Sequence, residues 1–271
     1  MKRRIILCLL IVYSIVCFNR CKKDEVAIDL PPVASFKMNF DDFSLEKSIT
    51  ENKTKTFYNQ AVNKVNIWSN LSQNHTNIPL SAFNKAFESQ STYNDEGWEW
   101  VYITTIGTTN YQSKLTGIIA GDSVIWKLYL SEVGNDQIKN QLWLEGTSHK
   151  NKSGGWWTIY NFYKDNNAII FKPALGIQWQ FKSNDDLSLT YQNIAIKKYD
   201  DILKKYVDNL NIGGFIEFKR QVNEPFNSYF SIYSQKESTV TKISWNSVTK
   251  EGQIEMNGSI YSWDSKHYDI D

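Results

Sequence analysis

The sequence predicts an α+β chain that is mainly β: a curved antiparallel meander sheet, half barrel or barrel-like, carrying two N-terminal helices, with a two-sheet β-sandwich as the alternative. Three observations lead there. The apolar period changes from three-and-four to two near Tyr93, turn residues then punctuate the chain at short intervals, and several later runs are apolar on both faces. A sheet with one wet side needs no double patterning, so both faces must be covered.

The helical part comes first. From Thr56 to Leu71, Phe57, Ala61, Val62, Val65, Trp68 and Leu71 fall at helical steps, and a second stretch from Pro79 sets Leu80, Phe83, Ala86 and Phe87 on one side. The polar run "SQNHTNI" reads as their connection, so the helical segment covers about 56–90. Ahead of it, "SFKMNFDDF" alternates Phe36, Met38 and Phe40, which suits a first strand or a hydrophobic clasp on the domain.

The meander then occupies about 93–271. "GWEWVYITTI" sets Trp98, Trp100 and Tyr102 against Glu99, Val101 and Ile103, while "SVIWKLYLSE" groups Val124, Trp126, Leu128 and Leu130. "GGWWTIYNFY" sends the adjacent Trp156 and Trp157 to opposite faces. Gly121-Asp122, Gly134-Asn135-Asp136 and Asp165-Asn166-Asn167 mark turns between such runs. Asp200 to Ile212 suits a helix or a long loop. The folded part reads as a single domain, 35–271.

The first residues carry a different message. Lys2, Arg3 and Arg4 precede the apolar run Ile5 to Val16, which has the length of a signal h-region and is too short to span a bilayer core. The run leads into "CFNRCKKDEV". A signal that ends at a cysteine followed by "KKDE" and a polar tether resembles the lipoprotein signals of Gram-negative bacteria, particularly of the Bacteroidota. The resemblance implies a signal peptide over 1–20, lipidation at Cys21, and a flexible leader over 21–34 in which Pro31 and Pro32 favour an extended spacer. Arg20 stands where that family has a small residue, and Cys17, closing "YSIVC", is the alternative acceptor. The implied address is the bacterial cell envelope, lipid-anchored at the outer membrane, with the face left open.

Cysteine arithmetic agrees with that address. Cys8, Cys17 and Cys21 all lie at or before the implied first mature residue, so the folded part has no thiol for a disulfide, a thiolate metal site or a nucleophile. Taking Lys2, Arg3, Arg4 and Arg20 from the 30 basic residues leaves 26 against 29 acidic ones, which gives no footprint for nucleic acid. His75, His149 and His267 are far apart and form no ligand motif, so neither a metal nor another cofactor is expected.

Catalytic patterns are equally thin. Ser148, His149 and Ser153 bring the letters of a nucleophile and base into one hairpin loop, where neighbouring side chains splay apart. The two SxxK matches, from Ser44 and Ser247, lack their companion motifs. A glycosidase would need two facing carboxylates, and Glu99, Glu145, Glu217 and Glu255 lie in or beside strands where such residues could sit.

Aromatic content points toward binding. The chain holds ten Trp, fifteen Tyr and fourteen Phe, and every Trp follows Cys21. Their rigid faces with polar edges suit stacking on a glycan or lining a lipid pocket in the concave face of the sheet. Trp98, Trp100, Trp156 and Trp157 are the candidate contact surface. The expected role is a non-enzymatic binding module, with docking on another envelope protein as the alternative and a hydrolase third.

Overall fold

A computed structural model describes residues 28–44, 53–165, 168–183, 186–220 and 225–270. Cys21 and the signal peptide expected over 1–20 lie outside the described residues. The chain begins with a 3-10 turn at Val33–Phe36, followed by helix α1 (Thr56–Lys85) with a further 3-10 turn at Ala86–Glu88. Sixteen strands follow: β1 (Ser91–Asn94), β2 (Gly97–Ile106), β3 (Thr109–Ala120), β4 (Ser123–Glu132), β5 (Gln141–His149), β6 (Gly154–Asp165), β7 (Ala168–Ser183) and β8 (Asp186–Asn193); then β9 (Lys197–Asp200), β10 (Lys205–Asp208), β11 (Phe215–Arg220), β12 (Ser228–Ser234), β13 (Thr239–Trp245), β14 (Gly252–Met256), β15 (Ser259–Trp263) and β16 (Asp269–Ile270).

Fourteen of these strands form one antiparallel meander in chain order, broken once where β9 and β10 leave as a separate hairpin and β11 rejoins β8. The sheet is open, with β1 and β16 as its edges, and the helix packs on its inner face. The α+β, mainly β architecture expected from the sequence is the one found. The stretch Asp200 to Ile212 contains the second half of the β9–β10 hairpin instead of a helix.

Tryptophan and glycine alternate across neighbouring strands of the inner face. Trp98 pairs with Gly117, Gly117 with Trp126, Trp126 with Gly146, and Gly146 with Trp157. The device recurs at Gly155–Trp179 and at Trp245–Gly252–Trp263. Each glycine leaves room for the indole beside it: a Cβ on Gly146 would meet Trp157 Cε3 at 2.6 Å, and one on Gly252 would meet Trp263 Cζ2 at 2.3 Å. The rings thus cover strand backbone that has no side chain of its own.

The two expected helices are one. Pro79 lies inside α1, and the polar interval that suggested a break stays helical, its buried hydroxyls satisfied by the helix itself. Thr76 Oγ1 donates to the Ser72 carbonyl (2.8 Å) and Ser72 Oγ to the Ser69 carbonyl (3.2 Å). Only the bond that a Pro79 amide would have made to the His75 carbonyl is lost by chemistry. Val62, Val65, Trp68, Ala82 and Phe83 on the buried face hold both halves on the same core.

At about 45 Å, a helix of 30 residues reaches across most of the sheet. Its first turn meets the last strands, where Phe57 stacks on Tyr261 (4.5 Å) and Tyr58 on His267 (3.8 Å). Near its other end Tyr102 of β2 donates its hydroxyl to the Ala82 carbonyl (2.8 Å). The first turn has no acidic residue and no cap from its own N-cap side chain. Asp269 of β16 supplies one: its carboxylate accepts the Thr56 and Phe57 amides (3.0 Å each) and the Thr54 hydroxyl. Asp269→Ala is expected to cost about 1–2 kcal/mol, the usual worth of such a cap, read as a lower urea midpoint at unchanged slope.

The segment before the helix is a clasp and not a strand. Phe36, Met38 and Phe43 are buried; Phe36 stacks on Trp157 (4.5 Å), and Trp157 Nε1 donates to Ser35 Oγ (3.1 Å). The buried Tyr191 hydroxyl accepts the Met38 amide (2.7 Å) and donates to the Phe36 carbonyl (2.5 Å). Packing starts earlier than the leader expected over 21–34 allows, because Ile28 and Leu30 already lie against the core.

Candidate functional site

Across the inner face of the sheet, α1 and the clasp pack against the tryptophans. Trp98, Trp100 and Trp157 are buried there, and Trp156 projects from the outer face, 44% exposed. The four therefore do not form one contact surface. Nine of the ten tryptophans are core residues, Trp156 being the tenth.

The candidate carboxylates all project outward, each with a different partner. Glu99 pairs with Lys114 (3.2 Å), Glu217 with Lys219 (2.8 Å) and Glu255 with Lys242 (3.1 Å). Glu145 accepts the Tyr160 hydroxyl at 2.6 Å, and burial together with this carboxylate pushes the phenol up to about 12. Glu99 and Glu145 share a cross-strand row through Thr116 and Lys127, three strand spacings or about 14 Å apart. Glu217 and Glu255 are separated in the same way by Ser231 and Lys242. Both separations exceed the roughly 5–9.5 Å that glycoside hydrolysis uses.

The serine–histidine letters also part company. Ser148 is buried, where its hydroxyl accepts Trp126 Nε1 (2.9 Å), whereas His149 is exposed with Nδ1 2.9 Å from Ser153 Oγ. Among the described residues no three His, Cys, Asp or Glu side chains gather where a metal ion could be held.

A cleft of about 490 Å³ opens instead at the far end of β6, between α1 and the β9–β10 hairpin. One wall is helical, with Asn70, Asn74 and His75; the floor is Asn161, Tyr163 and Lys172; the other wall is Lys198, Tyr199 and Tyr206. Tyr199 and Tyr206 are cross-strand partners with rings 5.3 Å apart, and Tyr163 continues the series at 5.9 Å from Tyr206. Burial first, and Tyr199 second, raise the Tyr206 phenol above its ordinary value.

Buried amides fix the hairpin at its root. Asn209 Nδ2 donates to Asn193 Oδ1 (3.1 Å) and to the Ala195 carbonyl (2.8 Å), and Asn193 Oδ1 also accepts the Ala195 amide (3.2 Å). Across the cleft, Asn161 Oδ1 accepts the amide of Phe162 (2.8 Å), which fixes its Nδ2 toward His75 Nδ1 at 2.8 Å. An accepting Nδ1 leaves the ring hydrogen on Nε2, so a neutral His75 presents a donor in the lining.

Burial lowers His75 from 6.5 to about 4. The unfolded chain therefore takes up a proton near pH 6.5 that the folded chain refuses until about pH 4. Stability from this group is complete above pH 6.5 and is lost as the pH falls through that window, about 2 kcal/mol by pH 5. Urea unfolding at pH 7 and pH 5 is expected to show this loss in the native chain, and His75→Gln is expected to remove most of the difference.

Sequence reading did not reach this cleft, although one signal was present. The triplet Lys197-Lys198-Tyr199 recurs as Lys204-Lys205-Tyr206 around "DDIL", a duplication that a hairpin turns into facing tyrosines. Among the described residues no helix is long and apolar enough to cross a membrane. The chain matches no family model, no curated protein and no solved structure.

Proposed function

We propose that the protein is a non-enzymatic binding module of the bacterial cell envelope, lipid-anchored through Cys21, that holds a glycan in the cleft between α1 and the β9–β10 hairpin. The observation that carries this reading is the lining: three neighbouring tyrosine rings face amides and a histidine donor in an open cleft. Flat rings suit the apolar faces of sugars, and amides suit their hydroxyls. The cleft lies at the opposite end of β6 from the point where the N-terminal segment enters, so an anchored protein would present it away from its own bilayer.

The test is a screen of envelope oligosaccharides against the chain from Cys21 onward, followed by calorimetry. Tyr199→Ala with Tyr206→Ala is expected to weaken binding about tenfold or more, since each stacked ring is worth about 0.5–1.5 kcal/mol beyond its area. Retained affinity in that double variant, or no glycan bound above background, would sink the reading. The hairpin tip favours the second reading, docking on another envelope protein, because Ile202 is 92% and Leu203 56% exposed. Loss of a co-purifying envelope protein on Ile202→Ser with Leu203→Ser, with glycan binding absent, would favour it.

A further inference from the structure

We propose that the end of the sheet where the N-terminal segment enters rests on the bilayer surface, with Trp156 seated among the headgroups; this deepens the lipid-anchor reading and rests on it. Trp156 is the one tryptophan of the ten that is not packed into the core. Scattered apolar residues on a surface need no explanation, but these are aligned. Ile118 and Ile125 are direct cross-strand partners on the outer face, and Thr147 links Ile125 to Trp156 in the same row. Ile118, Ile125 and Trp156 are 42%, 37% and 44% exposed. The row from Ile125 to Trp156 spans two strand spacings, about 10 Å.

The leash decides what covers this patch. Ile28 packs on the inner face, in the space a Cβ on Gly117 would need and on the other side of the sheet from Ile118, and Asp29 pairs with Lys152 (2.8 Å) in the β5–β6 loop, so the N-terminal segment reaches the same end of the sheet as the patch. Six residues separate Cys21 from Ile28, and a chain of that length spans at most about 25 Å. Acyl chains on Cys21 would hold this end close to the headgroups. A short tether gives the patch a high effective concentration at the membrane, so weak intrinsic affinity is enough to seat it. Isoleucines with an indole beside them, and Lys150 and Lys152 in the adjacent loop, are the residue types that sit at a lipid–water boundary. The β9–β10 hairpin, with its more apolar tip, meets β6 through Tyr163, seven residues or about 23 Å further along the strand than Trp156.

Anchoring can be imposed in vitro because the chain from Cys21 onward has one thiol. Coupled through Cys21 to maleimide lipid in vesicles of phosphatidylethanolamine and phosphatidylglycerol, the protein is expected to show indole quenching by brominated lipids, and Trp156→Phe is expected to abolish most of it. Hydrogen exchange on the unaltered anchored protein is expected to slow at 118–125 and 147–156 and to stay unchanged at 199–206. Quenching that survives Trp156→Phe, or exchange that does not slow at those segments, overturns the proposal. Labelling of the full chain in cells with an alkyne fatty acid, compared with Cys21→Ser, tests the anchor separately. Acylation without the vesicle contact removes this surface and leaves the anchor; vesicle contact without acylation overturns the bilayer as the natural occupant.

Discussion

Trp157→Ala is expected to lower stability by about 3–5 kcal/mol, the range for emptying a buried large aromatic site. Domains of this kind have roughly 5–15 kcal/mol to lose, so the variant should unfold at a much lower urea concentration. The reason lies in what the indole joins. Trp157 is 1% exposed, packs edge-on against Phe83 of α1 at 5.9 Å, stacks on Phe36 of the clasp, and donates to Ser35. Its loss leaves the Ser35 hydroxyl buried without that donor and removes a ring touching sheet, helix and clasp together. Trp157→Phe should recover most of the packing and not the hydrogen bond, placing it about 1–2 kcal/mol below the native chain. If Trp157→Ala instead unfolds within about 1 kcal/mol of the native protein, the contacts of this ring with helix and clasp do not carry the stability assigned to them.

The second large effect comes from adding one carbon. Gly146→Ala is expected to cost about 3 kcal/mol, the upper part of the range for overpacking. Its Cβ would lie 2.1 Å from the Trp156 carbonyl oxygen and 2.6 Å from Trp157 Cε3. The first contact is with backbone of the neighbouring strand, so no side-chain rotation relieves it. Gly176→Ala is the internal control, because its nearest neighbour would be 3.8 Å away. That change should be neutral or slightly stabilising through the unfolded chain. Comparable losses in both variants would point to a general intolerance of alanine in these strands, against the steric account.

The meander was legible because the period of two is written in large residues, as in Trp98-Glu99-Trp100 and Val124-Ile125-Trp126. The pairing of tryptophan with glycine was not, since each pair joins residues on different strands and becomes visible only with the register. The helix was misdivided for a local reason: Ser72 and Thr76 look like loop residues until their hydroxyls are seen bonded to the carbonyls one turn back. The clasp was foreseen as one of two options from Phe36, Met38 and Phe40. The cleft was the least legible part, because His75, Asn161 and Tyr206 come from a helix, a sheet strand and a hairpin that composition and spacing do not connect.

The cap on α1 has a consequence for how such a chain could mature. The helix is made early in the sequence and the aspartate that caps it comes 213 positions later than Thr56. A meander can add strands one by one as they emerge, since each pairs mainly with its predecessor. The first turn of the helix must wait for the last strand. A chain folding as it emerges N-terminus first would carry a frayed helix start until β16 arrived. Products lacking β16 would retain most of the sheet and yet remain open to proteases at residues 54–58, so cleavage there would report on truncation far away in the sequence.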